Sequence, residues 1–217
     1  VGLTREARSL IAADVLVQTS RPWDVKVRER IDRQLDRDPV LARSESVEPA
    51  TMVRPESGAA VVRMVELRAV QHAFPFYGQL KLQGGETYSH DLLRGRGVLV
   101  RPELLAQLGI SAGDRIMIAG QPFTVRGVIL EEPGRRAGAF SLGSRVLIDY
   151  DDLKSTGLLS FGSRATYQLL LRVRDDEVER LVRELRQDVR DQFVTVRSYR
   201  STEDQIGEDL TRAENYL

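Results

Sequence analysis

Apolar residues at helical spacing occur at both ends of the chain. Near the start, one helix face is formed by Leu3, Ala7, Leu10 and Ile11. Near the end, the capping-box-like pair Ser201 and Asp204 precedes a second face, formed by Ile206, Leu210, Ala213 and Leu217. This second stripe reaches residue 217 without the glycine or proline that ends most helices. The pattern predicts two terminal helices and a chain cut in mid-helix, as in a fragment excised from a longer protein.

A strand–helix–strand pattern occurs twice between these ends. In the first copy, strands at 14–20 and 40–53 flank a helix that Asp24 caps, with an apolar face of Val27, Ile31 and Leu35. In the second, strands at 167–173 and 193–198 flank a helix that begins with a capping-box-like Asp176 and Glu179. Its face comprises Val178, Leu181, Val182, Leu185 and Val189. Because neither unit can bury its helix face alone, the two predict one four-stranded sheet with both helices on one side, an α+β, split βαβ (ferredoxin-like) arrangement.

The middle of the chain has a different pattern of short β runs separated by turns rich in glycine and proline. One short helix is predicted at 102–108, with Gly109 just beyond its end, and Ala-Gly-Gln-Pro at 119–122 is typical of a hairpin turn. We therefore predict two subdomains. Residues 1–72 and 165–217 form the discontinuous βαβ part with its terminal helices, and residues 73–164 form an inserted β-rich part.

Composition narrows the classes of function. The 217 residues carry 32 Lys and Arg and 32 Asp and Glu, so the net charge is zero, which argues against nucleic-acid binding. With no Cys and two His, thiol chemistry and zinc sites are disfavoured, and we expect no metal or cofactor. The longest uncharged stretch, residues 69–80, is shorter than the roughly 20 residues that span a bilayer. No membrane span and no signal peptide are predicted within the chain.

Motifs of catalysis are absent from the sequence. There is no phosphate-binding loop, Gly95-Arg-Gly97 lacks the third glycine of a dinucleotide fingerprint, and Ser141 lacks the glycines of a nucleophile elbow. The acidic run at 149–152 lacks the spacing of a calcium loop and is typical of a helix N-terminus, with Leu153 as a core residue. The sequence therefore predicts a domain without catalytic residues.

Aromatic and aliphatic loop residues are the candidate contact sites. Phe74, Phe76 and Tyr77 cluster beside Pro75 and Gly78 in a predicted loop. Further loop candidates are Phe140, Leu158, Leu159 and Phe161. Exposed side chains of this kind contact partners or lipophilic ligands. The alternative is that the rings fill the core of the inserted part.

The order of several segments resembles a known family. These segments are 14–22 after an Arg-rich helix, Phe74-Pro-Phe-Tyr-Gly78, 108–114 with 123–128, and 144–158. Together they resemble the extracytoplasmic (periplasmic) domain of FtsX-like, MacB-like ABC transporter permeases, and most of all the YbbP-type branch. The resemblance covers nearly the whole chain.

The resemblance implies a fold and a role. It implies a porter-type sheet–helix subdomain near the membrane, an inserted sabre-type subdomain, and helices flanking both termini that attach the domain to the periplasmic face of the bacterial inner membrane. It further implies a cytoplasmic ABC ATPase that drives mechanical motion of the permease. This motion would extract or export lipophilic compounds. A periplasmic thioesterase/lysophospholipase is implied as a further partner. The domain itself would not be an enzyme.

Two other classes of function remain open from the sequence. One is a soluble periplasmic adaptor or protein-interaction module without a role in transport. The other is a hydrolase whose site assembles only in the fold, which would require a Ser or His beside an acid in a pocket.

Overall fold

The computed structural model describes residues 2–37, 40–134, 143–160, 163–190 and 192–216. In these ranges the helices are α1 (Gly2–Ile11), α2 (Val25–Arg37), α3 (Pro102–Leu108), α4 (Tyr150–Lys154), α5 (Val178–Asp188) and α6 (Tyr199–Glu214). The strands are β1 (Val15–Thr19), β2 (Val40–Pro55), β3 (Arg63–Val70), β4 (Lys81–Leu82), β5 (Gly97–Val100), β6 (Arg115–Ile118), β7 (Gln121–Glu131), β8 (Ser144–Asp149), β9 (Ala165–Val173) and β10 (Val194–Ser198).

The two strand–helix–strand units share one sheet. Its strand order is β10-β1-β9-β2, and all neighbours are antiparallel. The central strand β1 places Val17 opposite Val196 on one side and Leu169 on the other. Helices α2 and α5 lie side by side, where the Gln34 amide donates to Glu184 at 2.6 Å. The predicted α+β, split βαβ arrangement is confirmed.

Helical periodicity identified the buried faces of α2 and α5 correctly. Val27, Ile31 and Leu35 are buried, as are Val178, Leu181, Val182 and Leu185. The backbone N–H of Val27 donates to the Asp24 carboxylate at 3.0 Å, which confirms that Asp24 caps α2. The capping box predicted at Asp176 is wrong, because a 3₁₀ turn at Asp175–Glu177 leads into α5 without a side-chain cap.

The middle of the chain extends the same sheet. The first part of β2 pairs with β9, whereas its last residues lie between β3 and β6. From β3 the sheet continues through β8, β5, β7 and β4, and β3 and β8 are parallel. Since β6 and β8, which lie inside the predicted insertion, pair directly with β2 and β3, the sheet itself marks no boundary, and the division at 73–164 stays a prediction.

The turns in the middle of the chain lie where the sequence predicts them. Gly109 follows α3 in the left-handed conformation, with φ 65°, and positive φ at Ala119 and Gly120 closes the hairpin between β6 and β7. The Asp149 carboxylate caps α4, and Leu153 is buried. The acidic run is therefore a helix start, as predicted.

The last helix differs from its prediction. Helix α6 begins at Tyr199, before Ser201, and the Ser201 hydroxyl donates to the carbonyl of Ser198 at 2.7 Å inside the first turn. The helix ends at Glu214, and Leu210 is 57% exposed, so the predicted stripe is not a continuous buried face. Leu217 lies outside the described residues. None of the helices in the described ranges is both long enough and apolar enough to cross a bilayer.

Candidate functional site

The carboxylate of Asp14 is fully buried where α1 turns into β1. One carboxylate oxygen accepts from Arg8 Nε at 3.0 Å, and the other accepts from the Tyr77 hydroxyl at 2.7 Å. That second oxygen also accepts from the backbone N–H of Val173 at 2.9 Å. Because these donors lie on α1, on the loop after β3 and on β9, one side chain fixes three segments relative to one another.

The backbone of Asp14 ties the last helix to the same point. Its N–H donates to the carbonyl of Leu171 at 3.0 Å, and its carbonyl accepts from the N–H of Tyr199, the first residue of α6, also at 3.0 Å. Helices α1 and α6 pack against each other. The residues Arg8, Asp14, Tyr77, Asp175 and Tyr199 are called the helix joint below.

Arg8 completes the helix joint. Its guanidinium pairs with Asp175 as well as with Asp14, and it lies over the ring of Tyr199, 4.3 Å from the ring centre. The Tyr199 hydroxyl donates to Asp175 at 3.1 Å. Both terminal helices therefore share one set of charged and aromatic contacts.

The local turn explains why this aspartate can be buried. Helix α1 ends at Ile11, and Ala12 adopts a positive φ of 57°, so the chain reverses before β1 begins. Ala12 and Ala13 are both fully buried. Asp14 follows directly and points into the core.

Burial and charge shift the ionisation of the joint. Partial burial, and then the hydrogen bond to Asp14, raise the pKa of Tyr77 to about 12. Burial lowers the pKa of Arg8, but the carboxylates of Asp14 and Asp175 outweigh it, and the pKa is raised overall. Tyr77 is therefore a neutral donor and Arg8 a cation at physiological pH.

The structure corrects the expectation that Phe74 is an exposed contact. Phe74 is 3% exposed and packs in the main core beneath the guanidinium of Arg68, 4.4 Å from its ring centre. Arg68 is itself buried, pairs with Glu48 at 3.4 Å, and donates to the carbonyl of Pro133 at 2.7 Å. The core-filling alternative thus holds for Phe74.

The other predicted contact residues occupy intermediate positions. Phe76 and Tyr77 are half-buried, and Phe76 packs against the core cluster that contains Phe74. Leu158 and Leu159 are also half-buried and pack at the edge of the second core cluster, which lies beneath the β-rich part of the sheet. Phe140 and Phe161 lie outside the described residues. The five candidates that the structure describes therefore do not form one surface, since Phe74 and Phe76 belong to the first core cluster and the two leucines to the second.

A histidine–aspartate pair bears on the hydrolase alternative. His90 Nε2 lies 2.6 Å from Asp149, while its other ring nitrogen, Nδ1, is buried without a hydrogen-bond partner. A serine nucleophile would have to contact that second nitrogen. No serine of the described residues does so, and Asp149 also serves as the cap of α4. Among the described residues the pair therefore does not complete a Ser–His–Asp triad; Ser141 lies outside them.

Sequence comparison assigns the family. The profile of the MacB-like periplasmic core domain matches residues 2–188, most of the chain. The chain belongs to this family. Over 168 residues, the MacB-like domain is also 25% identical to the uncharacterised ABC transporter permease YbbP of Escherichia coli K12. The match covers 77% of this chain but 19% of that permease, so the chain corresponds to a small part of its relative.

Solved structures share the fold of this MacB-like domain. The periplasmic region of MacB from Actinobacillus actinomycetemcomitans superposes with a TM-score of 0.57 at 13% identity, covering 95% of this chain and 98% of that one. The extracellular domain of the ABC-type transporter YknZ from Gram-positive bacteria gives 0.53 at 17% identity, covering 85% and 100%. The resemblance inferred from the sequence motifs is thereby confirmed.

Sequence reasoning missed the helix joint of the MacB-like domain. The pattern predicts Asp14 only as the first residue of a strand, and it does not single out Arg8. One signal was available: a single acidic residue directly before the apolar run of Val15, Leu16 and Val17 must be satisfied inside the core. Its partners could not be named, since Val173 lies 159 residues away in the sequence.

Proposed function

We propose that this domain is the periplasmic part of an ABC transporter permease and that it transmits motion driven by a cytoplasmic ATPase. The observation that carries the proposal is the helix joint, which fastens both terminal helices to the sheet at one buried aspartate. Family membership supports the periplasmic location at the inner membrane. In the longer protein, α1 and α6 would be connected to membrane spans on either side.

The joint has the properties that force transmission requires. A displacement of α1 or α6 acts on Asp14, whose hydrogen bonds lead directly into β9 and into the loop that carries Tyr77. Buried charge-assisted bonds resist separation more than exposed ion pairs do. Motion of the helices would therefore carry the sheet along instead of bending the connection.

The transported material is proposed to be lipophilic, as the family resemblance implies. A periplasmic thioesterase/lysophospholipase as a partner rests on that resemblance alone. Phe76, Leu158 and Leu159 are proposed as contacts, and Phe140 and Phe161 are proposed from the sequence only. For Phe76, the test is complementation by Phe76→Ser in the full-length permease, with Leu130→Ser as a control at an exposed position.

The proposal is tested in the full-length permease reconstituted with its ATPase. One spin label is placed at the exposed Lys154, far along the chain from both terminal helices, and a second on the ATPase subunit. We expect ATP to change the distance between the two labels, and Asp14→Ala to reduce that change. An inactive ATPase is the control. A distance that does not respond to ATP in the wild type contradicts the proposed function.

A further inference from the structure

One end of the ferredoxin-like sheet carries two strongly exposed apolar side chains. In the described ranges before α6, Val25 is the most exposed large apolar residue, at 70%, and Phe193 is next, at 67%. Val25 begins α2, and Phe193 directly precedes β10, whose first residue, Val194, is opposite Thr19 at the end of β1. Both lie at the end of β1 opposite to Asp14, away from the point where the terminal helices join the sheet. Exposed apolar side chains that cluster in this way are typical of a contact surface.

A cleft of about 300 Å³ opens beside Phe193. Pro22, Trp23 and Val27 line it from the loop after β1 and the first turn of α2. Trp23 is half-buried and packs against both core clusters, so this wall of the cleft is held in place. The volume is at the lower limit of small-molecule pockets and suits one large side chain.

The guanidinium of Arg21 is stacked on the ring of Phe193, 3.7 Å from the ring centre. Stacking fixes the plane of the guanidinium and leaves its N–H groups at the edge. In the part of the chain that the structure describes, no carboxylate pairs with Arg21. Asp24, which also lines the cleft, uses one oxygen to cap α2 at the N–H of Val27. Arg21 is thus positioned to bind a carboxylate of another molecule through two parallel hydrogen bonds.

Further positive charge surrounds Arg21. Lys26 lies in the first turn of α2, and Arg190 lies two residues before Gln192, which lines the cleft. Neither Lys26 nor Arg190 pairs with a carboxylate of the described ranges, and Asp191 lies outside those ranges. The N-terminus of α2 adds a partial positive charge. This end of the sheet therefore favours an anionic partner over a cationic one.

The outer edge of β10 is closed to an added strand. The carbonyl of Val196 points away from β1, because the hydrogen bond from the N–H of Tyr199 to the carbonyl of Asp14 sets the alternation along the pair. Arg186 of α5 donates to the Val196 carbonyl through Nε at 3.2 Å and Nη2 at 3.0 Å. Its guanidinium occupies the place that a further strand would need. A partner therefore contacts the end of the strand, at Phe193, rather than its edge.

We propose that this end of the domain binds an acidic peptide segment of a partner protein. The surface comprises Arg21, Pro22, Trp23, Val25 and Phe193 and is called the tip below. An apolar side chain of the segment enters the cleft, and a neighbouring carboxylate pairs with Arg21. The inference goes beyond the proposed transmission of motion and does not depend on it.

Trp23 is the single tryptophan of the chain, so its fluorescence reports on the tip alone. The probe is a capped five-residue peptide with leucine at its centre and glutamate at the other positions. A second peptide has lysine in place of glutamate, and a third has serine in place of leucine. We expect a saturable change in Trp23 fluorescence with the first peptide and about tenfold weaker binding of the other two. Binding of the first peptide should also weaken as NaCl rises from 50 to 500 mM.

A charge variant tests the pairing with the carboxylate. Arg21→Glu should weaken the glutamate–leucine peptide about tenfold, because it places a carboxylate where the ligand brings its own. The matched control is Arg164→Glu, at an exposed arginine that has no carboxylate partner within the described ranges. This control should leave binding unchanged.

An apolar variant tests the cleft. Val25→Ser combined with Phe193→Ser should remove the preference for leucine over serine at the centre of the peptide. Both positions are strongly exposed, so the variant should keep its fold. Met52→Ser with Leu130→Ser, which removes two exposed apolar side chains elsewhere, is the control and should keep the preference.

Three results with the peptides would overturn the inference. They are no saturable change with the glutamate–leucine peptide, equal binding of the lysine peptide, and binding that neither tip variant weakens. Vesicles of phosphatidylglycerol and phosphatidylcholine, and sedimentation of the chain alone, test two other occupants. Vesicle binding or dimerisation that the tip variants abolish would assign the tip to a membrane or to a second copy and would also overturn it. All of these measurements use the 217-residue chain without ATP or ATPase, so they leave the proposed function to its own test.

Discussion

At the residue scale, the fold depends on a few buried charges that have partners on distant segments. Asp14 has donors on three segments, and the equally buried Arg68 has the carboxylate of Glu48 and the carbonyl of Pro133. A buried charge without partners would cost several kcal/mol. These residues therefore determine how distant segments pack together. Removing one partner should lower the free energy of unfolding far more than removing one partner of a surface ion pair.

Asp14→Ala should lower the free energy of unfolding by about 3 kcal/mol, because Tyr77, Val173 and Arg8 lose their common acceptor. Urea unfolding at pH 7 measures the change. The matched control is Asp32→Ala, which removes one of the two carboxylate partners of Arg28 on α2 and should cost less than about 1 kcal/mol. Equal losses in the two variants would show that the joint adds no stability.

Tyr77 should make stability depend on pH in the alkaline range. A tyrosine with an ordinary pKa of about 10 in the unfolded chain and about 12 in the fold stabilises the protein fully below pH 10. That contribution is lost as pH rises from about 10 through 12. In Tyr77→Phe the decline in unfolding free energy over this interval should be shallower. Parallel curves for the two proteins would contradict the assignment.

At the element scale, the amphipathic helices cover the ferredoxin-like sheet. Leu181 and Leu185 of α5 are at most 1% exposed. Helix α5 packs beside α2 and against β10. Charged residues on the outer faces form ion pairs within the helices, such as Arg180 with Glu184 at 3.1 Å. The stability of these helices thus comes mainly from their apolar faces.

Leu185→Ala should destabilise the domain by about 2–5 kcal/mol, since it leaves a cavity beneath α5. Thermal and urea unfolding both measure this loss. Leu210→Ala, at a position of α6 that is 57% exposed, is the control and should change stability by less than about 0.5 kcal/mol. An unchanged melting temperature for Leu185→Ala would mean that α5 packs through another face.

Features that depend on residues close in sequence could be predicted, whereas features that depend on distant contacts could not. The faces of α2 and α5, the Asp24 cap and the turns after α3 and β6 follow from residues close in sequence. The start of α6 does not, because it is set by the hydrogen bond from Tyr199 to the carbonyl of Asp14 rather than by the Ser201 motif. The burial of Phe74 likewise depends on Arg68, which a loop pattern does not reveal.

At the scale of the whole molecule, a single sheet joins the ferredoxin-like part to the β-rich part. The two parts meet along β2, whose residues 40–49 pair with β9, 46–53 with β3 and 53–55 with β6. Two clusters of buried side chains form the core, and the first includes Phe74, Leu80 and Leu82 from the middle of the chain. The two parts therefore share both hydrogen bonds and core.

Replacing residues 73–164 with a short Gly/Ser linker should leave the strand order β10-β1-β9-β2 intact, since both helices and all four strands lie outside the deletion. The variant should unfold cooperatively but at lower urea, because Phe74, Leu80 and Leu82 leave the first core cluster. Circular dichroism and urea unfolding measure both outcomes. A variant without cooperative unfolding would contradict the predicted division.

The strand order also governs how the chain folds while it is being synthesised. Both neighbours of β1 come from the last part of the sequence, so neither edge of β1 can be paired until residue 165 and those after it have left the ribosome. At about 5–20 residues per second, that delay is on the order of 10 s. During it, the apolar run of Val15, Leu16 and Val17 is open to pairing with other nascent chains. A chaperone that holds the first 40 residues in this interval would raise the yield of folded domain.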